Sequence, residues 1–351
     1  MKIFVLLGPT AVGKTELSLR LAEQFGVPIL NCDSRQIYRE IPICTAAPTS
    51  ADLVRVPHYF VGTHSLDQTY SAAQYEADAL QVIEGISAPD SASSSLPSSP
   101  LCGGDKWGPI LCRGDRRGAI LSGGSMMYID AVTRGIDDMP QADPAIRQRL
   151  REQLEAEGLA SLCSQLAKLD PVYYSSVDRQ NPQRVLHGLE MCLTTGRPFS
   201  EFRTGRRKER PFDVVKIGLR RDREELYRRI DLRVEQMFQQ GLEEEARRVY
   251  EQYQQTVDVQ FSSVLRHPGP TQKQLIPNLL PPALNTVGLK EMLLHYTGVY
   301  SLEQARERIC HNSRIYSKKQ MTWFQRDEEV HWYHPDQIDK ILQFATEMNE
   351  F

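Results

Sequence analysis

Residues Gly8-Pro9-Thr10-Ala11-Val12-Gly13-Lys14-Thr15 fit the spacing G-x-x-x-x-G-K-[ST] in full. The chemistry that this pattern serves is phosphate binding. Its two glycines let the backbone wrap so that N–H groups point inward, and a helix that starts there adds positive potential at the same point. Lys14 supplies a mobile point charge, and Thr15 offers a hydroxyl to a magnesium ion, Mg2+. The expected ligand is a diphosphate or a longer phosphate chain. Such a loop reads phosphates and not the group beyond them, so ATP, GTP or a diphosphate ester all fit.

Two later stretches stand where a second substrate would be handled. Asn31-Cys32-Asp33-Ser34-Arg35-Gln36 follows a short apolar run. Ligands of open parallel sheets gather at the carboxyl ends of strands, which sets Asp33 near the phosphates. Asp33 as the N-cap of a following helix is an equally weighted alternative. Ser122-Gly123-Gly124-Ser125 repeats the arrangement after another apolar run. Its glycines permit close approach and Ser125 offers a hydroxyl; a plain strand-to-helix turn is the alternative. An apolar run ending in a clear magnesium-holding carboxylate is missing, which counts against a motor or switch ATPase. The Asn/Thr-Lys-x-Asp motif by which GTPases read their base is missing too.

The elements that must position these residues alternate between strand and helix. Lys2–Leu7, Pro28–Cys32, His58–Gly62, Gly118–Ser122 and Val214–Leu219 read as strands. Lys14–Phe25, Ser71–Ile86 and Met126–Val132 read as helices between them. Alternation of this kind predicts an α/β fold, a parallel sheet flanked by helices on both faces. Helical stretches Pro144–Glu157, Leu159–Leu169 and Pro182–Thr195 follow without a strand, which predicts a small all-helical insertion domain. Long helices are expected over Arg223–Gln240, Leu242–Tyr253, Ala283–Tyr296 and Ser301–Arg326. The divisions are a P-loop core at 1–138, the helical insertion at 139–200 and a mostly helical return at 201–351. Two biased segments, 87–117 (Ser-, Pro- and Gly-rich) and 254–282 (Pro- and Gln-rich), read as surface insertions.

Composition bounds the partners. The chain has 351 residues, 40% hydrophobic and 25% charged, and no apolar run of membrane-spanning length. Met1–Gly8 leads straight into the glycine-rich loop and reads as a buried strand, not a signal peptide. Seven cysteines without a C-x-x-C pair point to reduced thiols in the cytoplasm and away from zinc. The net charge of -3 hides a basic stretch from Arg197 to Arg233, with 13 Lys/Arg against 7 Asp/Glu. Arg306, Arg308, Arg314, Lys318, Lys319 and Arg326 form a second. Each alone is most simply a solvated face; the pair makes a polyanion partner worth weighing.

Taken in order, the motifs resemble one family. GPTAVGKT, NCDSRQIYR with TAAPT, YSAAQYEADAL and SGGSMMYIDAVTRGID are similar to the tRNA dimethylallyltransferases, also called isopentenylpyrophosphate transferases. Asn181-Pro182-Gln183-Arg184, ERPFDVVKIGL, LYRRIDLRVEQM, ALNTVGLKE and NSRIYSKKQMTWFQRD continue the likeness outside the two biased segments. The resemblance implies a P-loop NTPase-like core with a helical insertion, and transfer of a dimethylallyl group from dimethylallyl diphosphate to N6 of the adenosine just 3′ of the anticodon, tRNA position 37. It implies that Asp33 takes the N6 proton, that Ser125 makes the contact usually made by a threonine, and that Arg233 helps hold the diphosphate with Gly8–Thr15. Asp33, Ser34, Arg35 and Gln36 would touch tRNA, as would Gln183, Arg184, Val185, Leu186 and His187, and Thr286–Glu291. The chain departs from the family's frequent V-G-Y at Val287-Gly288-Leu289, where an aromatic able to stack on a base is replaced. It also lacks the C-terminal Cys/His pattern of some eukaryotic relatives, which suggests a bacterial-type enzyme, with a monomer as the simplest assembly. The competing readings are a P-loop small-molecule or nucleoside kinase, with Arg203–Arg210 imitating a lid, and a non-catalytic RNA-binding GTPase-like module.

Overall fold

Side chains Ile3, Val5 and Leu7 are buried in one hydrophobic core, and Phe4 and Leu6 in another. A strand that buries both faces must lie inside a sheet with helices on each side. The computed structural model describes residues 1–87, 118–140, 142–266 and 283–350. In it strand β1 (Lys2–Leu7) sits between β4 (Gly118–Ser122) and β5 (Asp213–Leu219). The sheet has six strands in the order β3-β2-β4-β1-β5-β6, all paired in parallel. Here β2 is Ile29–Asn31, β3 is His58–Tyr59 and β6 is Val330–Tyr333. One face is covered by helix α1 (Lys14–Phe25) and by Ile341 and Ala345 of the C-terminal helix Ile338–Glu350. The other is covered by Ala72–Ser87, Met126–Thr133, Leu289–Tyr296 and Leu302–Phe324.

Register places the chemistry. Leu6 is level with Ser122, and Ser122 with Asn31. The chain therefore leaves β1, β4 and β2 flush at one edge. Since neighbouring strands lie about 4.8 Å apart, the turn after β4 falls between the loop after β1 and Asp33 after β2.

The chain divides into two compact units, residues 1–133 with 210–351, and residues 134–209. The second is helical and wider on both sides than the stretch 139–200 marked out by proline breaks. Its core joins Leu150, Leu162, Leu166, Val185 and Leu189. Fully buried Asp170 ties its turns together, accepting from Tyr173 N at 2.8 Å, Ser200 N at 2.7 Å and Ser200 Oγ at 2.8 Å.

Several element limits differ from those read in the sequence. β6 and the helix Ile338–Glu350 were not expected. The helix drawn from Ala283 begins at Leu289, because Gly288 at φ 100° interrupts it. The helix drawn to Tyr253 continues to Arg266 beyond a non-helical Tyr253. Its fully buried Val257 shows that the start of the supposed insertion at 254 belongs to the core. The remainder, 267–282, and segment 88–117 lie outside the described residues.

Candidate functional site

The P-loop is held from behind by its own carbonyls. Arg229 Nε donates to Ala11 O at 2.9 Å and Arg221 Nε to Val12 O at 3.0 Å. Lys14 Nζ donates to Gly8 O at 2.9 Å and Pro9 O at 2.8 Å. Gly8, at φ +150°, passes so close to β5 that a Cβ there would lie 2.8 Å from Leu219 O. The backbone N–H groups of Gly13, Lys14 and Thr15 make no hydrogen bond among the described residues. They cluster at the start of α1, a ready site for an anion.

Three charged side chains reach this place from distant parts of the sequence. Burial lowers the Lys14 ammonium to about 8; Asp33 pulls it back up and Arg233 pushes it further down. Burial also lowers the Arg233 guanidinium, again opposed by Asp33. Lys14, Asp33 and Arg233 thus share one electrostatic site. Asp33 is fixed by an Asx turn, its Oδ1 accepting from Arg35 N at 2.9 Å. Arg233 Nη2 donates to Thr45 O at 3.1 Å. The Tyr316 phenol, pushed up by burial, feels Asp33 and Arg35 and so joins the same edge from helix Leu302–Phe324.

The turn after β4 is locked to the Asp33 strand: Cys32 N donates to Ser122 O at 2.8 Å and Ser125 N to Cys32 O at 3.0 Å. Ser125 is buried. A residue missed in the sequence joins this turn to the P-loop. Gln320 accepts from Thr10 N at 2.9 Å and donates to Gly124 O at 2.8 Å. Its one signal was place: it falls on the buried stripe Ile309, Ser317, Gln320, Phe324 of its helix. Glu245 was missed as well. It is buried and accepts from Ile43 N at 2.9 Å and Cys44 N at 2.7 Å, capping the short helix Pro42–Thr45 whose last carbonyl holds Arg233.

The stretches expected to touch tRNA are sorted by exposure. Gln36 spends its amide on Thr45 O at 3.2 Å and Ala46 O at 3.0 Å, while Asp33, Ser34 and Arg35 stay partly exposed. In the helical unit, Gln183, Arg184 and His187 face outward, but Val185 and Leu186 are interior. Helical periodicity turns these two of the five side chains into the core of that unit. Leu289 is fully buried, so this position packs and offers no stacking surface. Some of the basic charge of the first unit is spent on ion pairs within it. Lys216 meets Asp327 and Glu329, Arg210 meets Glu76, Arg314 meets Asp231 and Arg306 meets Glu235.

Comparison with known proteins gives a consistent picture. A family model described as IPP transferase matches residues 36–92 and 110–327. That match begins just after Asp33, so the P-loop is covered by relatives of full length. "tRNA dimethylallyltransferase 1" of Phocaeicola vulgatus is 47% identical over 347 residues, 99% of this chain and 98% of that protein. "tRNA dimethylallyltransferase 2" of Porphyromonas gingivalis is 48% identical over 346 residues, 98% of each. Among solved structures, the tRNA isopentenylpyrophosphate transferase of Bacillus halodurans is similar at 27% identity and TM-score 0.60, covering 99% of this chain and 97% of that one. A eukaryotic dimethylallyltransferase caught acting on tRNA is similar at 25% identity and TM-score 0.64, covering 92% of this chain and 69% of that one.

Proposed function

The chain belongs to the IPP transferase family, and we propose that it transfers a dimethylallyl group from dimethylallyl diphosphate to N6 of the adenosine 3′-adjacent to the anticodon of tRNA. One observation carries the reading. Lys14, Asp33 and Arg233 meet at the carboxyl edge of the sheet, two cations for a departing diphosphate and one carboxylate for an incoming amine. The kinase reading is set aside because the full-length relatives bear the other name.

The chemistry follows from these groups. The N6 lone pair forms a bond to the allylic carbon. The carbon–oxygen bond breaks, its electron pair leaving with the diphosphate, and the N6 proton passes to Asp33. Lys14, Arg233 and the N–H groups of Gly13, Lys14 and Thr15 stabilise the charge that grows on the leaving group. Adenine N6 is a poor nucleophile, so a carboxylate that orients it and takes its proton acts where help is needed. The Ser125 hydroxyl contacts the acceptor side. Drawing the adenine from its stack costs a few kcal/mol, on the order found for other base-flipping enzymes.

No group of three or more His, Cys, Asp or Glu side chains among the described residues is built to hold a metal. Magnesium takes few protein ligands when phosphates supply the rest. The Thr15 hydroxyl beside the anion site fits that role. Bound there with the diphosphate, Mg2+ would neutralise leaving-group charge. The enzyme would act in the cytoplasm, as a monomer, gripping the anticodon arm through Asp33, Ser34, Arg35, Gln183, Arg184 and His187.

Purified protein with dimethylallyl diphosphate, Mg2+ and unmodified tRNA should add C5H8 to one adenosine, read by mass spectrometry of nucleosides. Asp33→Asn keeps the turn to Arg35 but cannot take a proton, and should slow that reaction by about 10²- to 10⁴-fold at saturating tRNA. No mass gain with the native protein would end the reading, and an undiminished Asp33→Asn rate would remove the carboxylate from it.

A further inference from the structure

Gln320 lies 1% exposed about one turn before the end of the helix Leu302–Phe324. Its carboxamide ends on two backbone atoms that are far away in sequence and belong to different loops. Oε1 accepts from Thr10 N in the P-loop, and Nε2 donates to Gly124 O in the turn that carries Ser125. The opposite orientation of the amide would set NH2 against N–H and C=O against C=O, so both bonds require this one. Gly124 is shaped to receive it, since a Cβ there would lie 2.3 Å from Gln320 Nε2. The helix that carries the amide is itself anchored. It buries Ile309, Ser317 and Phe324, Asn312 Nδ2 donates to Glu291 Oε1 at 2.7 Å, and Arg314 pairs with Asp231.

The two loops so joined leave adjacent strands, β1 and β4. On the functional reading above, one holds the diphosphate and the other faces the acceptor base. We propose that Gln320 is a positioning residue for the prenyl transfer: its buried amide sets the separation between the diphosphate loop and the acceptor-side turn. It also takes Thr10 N–H out of phosphate binding, which leaves that work to Gly13, Lys14 and Thr15. This inference rests on the prenyltransferase reading. Bond formation between two bound substrates is steeply sensitive to their separation, and an error of about 1 Å costs about a hundredfold in rate. Binding of either substrate alone is not sensitive to it.

That difference supplies the test. Gln320→Met keeps volume and removes both hydrogen bonds; Gln320→Glu keeps the acceptor but sets a carboxylate against Gly124 O. Gly124→Ala crowds the same amide from the other side. For each, kcat at saturating substrates is measured per diphosphate-binding molecule, alongside separate Kd values for inorganic diphosphate and unmodified tRNA. The expected result is a fall in kcat of about 10- to 100-fold, with both Kd values within about threefold of native. The double variant Gln320→Met with Gly124→Ala should be little slower than either single one, because both break the same link. A kcat within about twofold of native, or a loss matched by an equal loss of either affinity, overturns the proposal. Where a Gln320 variant does not fold, Gly124→Ala decides, and normal turnover there overturns it equally. Inactive native protein would instead indict the functional reading itself, whereas active native protein with unaffected variants would remove Gln320 alone.

Discussion

Lys14 is held in an uncomfortable state. Its ammonium is buried beside Arg233, and burial outweighs the attraction of Asp33, so its pKa falls from 10.5 to about 8. Carbonyls of Gly8 and Pro9 satisfy two of its protons in place of an anion. A bound diphosphate adds negative charge beside it and must raise that pKa again. Binding therefore favours the protonated form, which is the main one below pH 8 and is lost above it. The KM for dimethylallyl diphosphate should stay level up to about pH 8, then climb toward about tenfold per pH unit. Lys14→Arg keeps its charge throughout this range and should flatten the climb, whatever it does to the absolute value. A native KM that is constant from pH 7 to 10 would show that Lys14 keeps its proton without the ligand.

Short elements, more than long ones, decide how well this site is built. The helix Pro42–Thr45 is too short to hold itself together. Glu245 caps one end with two backbone N–H bonds, and at the other end Thr45 O takes both Gln36 and Arg233. Burial raises the Glu245 pKa against those two bonds. Glu245→Gln replaces one accepting oxygen by an NH2 and strands a buried N–H. It should cost about 1–3 kcal/mol of stability in urea unfolding and weaken diphosphate binding through Arg233. An unchanged midpoint would mean that water reaches the cap. These supports also mark the limit of what was legible beforehand. The strands Lys2–Leu7, Gly118–Ser122 and Val214–Leu219 stand out because both faces are buried and the apolar run is continuous. The P-loop and the Asp33 and Ser122–Ser125 turns stand out because they follow such strands. Strand Val330–Tyr333 has one buried side chain in four, at the sheet edge, and so has neither a run nor an alternation. Gln320, Glu245, Arg221 and Arg229 each act through one or two isolated contacts made far along the chain, and such contacts leave no period to read. Burial of the Val185 and Leu186 side chains was not legible for the opposite reason. A motif names consecutive residues, whereas a helix exposes only some of them.

At the scale of the molecule, the near-neutral charge and the two basic stretches pose one question: which surface holds a polyanion? Several cations of the first unit are committed to ion pairs, Lys216, Arg210, Arg314 and Arg306 among them. The exposed pairs of Arg314 and Arg306 add little stability, about 0–1 kcal/mol each, but all four reduce the charge left for phosphates. Lys318 and Lys319 remain exposed. In the helical unit, Gln183, Arg184 and His187 project from the first turns of one helix. That unit leaves the first after Thr133 and returns at Arg210. The two ends are tied, since Arg210 Nη2 donates to Ala131 O at 2.6 Å and pairs with Glu76. A Gly/Ser linker of about six residues reaches about 13 Å and should therefore replace 134–209 without strain. The shortened protein should keep its affinity for inorganic diphosphate within about threefold, because every residue of the cradle lies in the first unit. Its tRNA affinity should fall at least tenfold, and the plot of log Kd against log salt should become shallower by about one for each phosphate contact removed. Calorimetry with diphosphate and filter binding with tRNA from 50 to 200 mM salt would read both. Unchanged tRNA affinity and slope would assign the RNA wholly to the first unit, and Arg184 and His187 would then be ordinary surface residues.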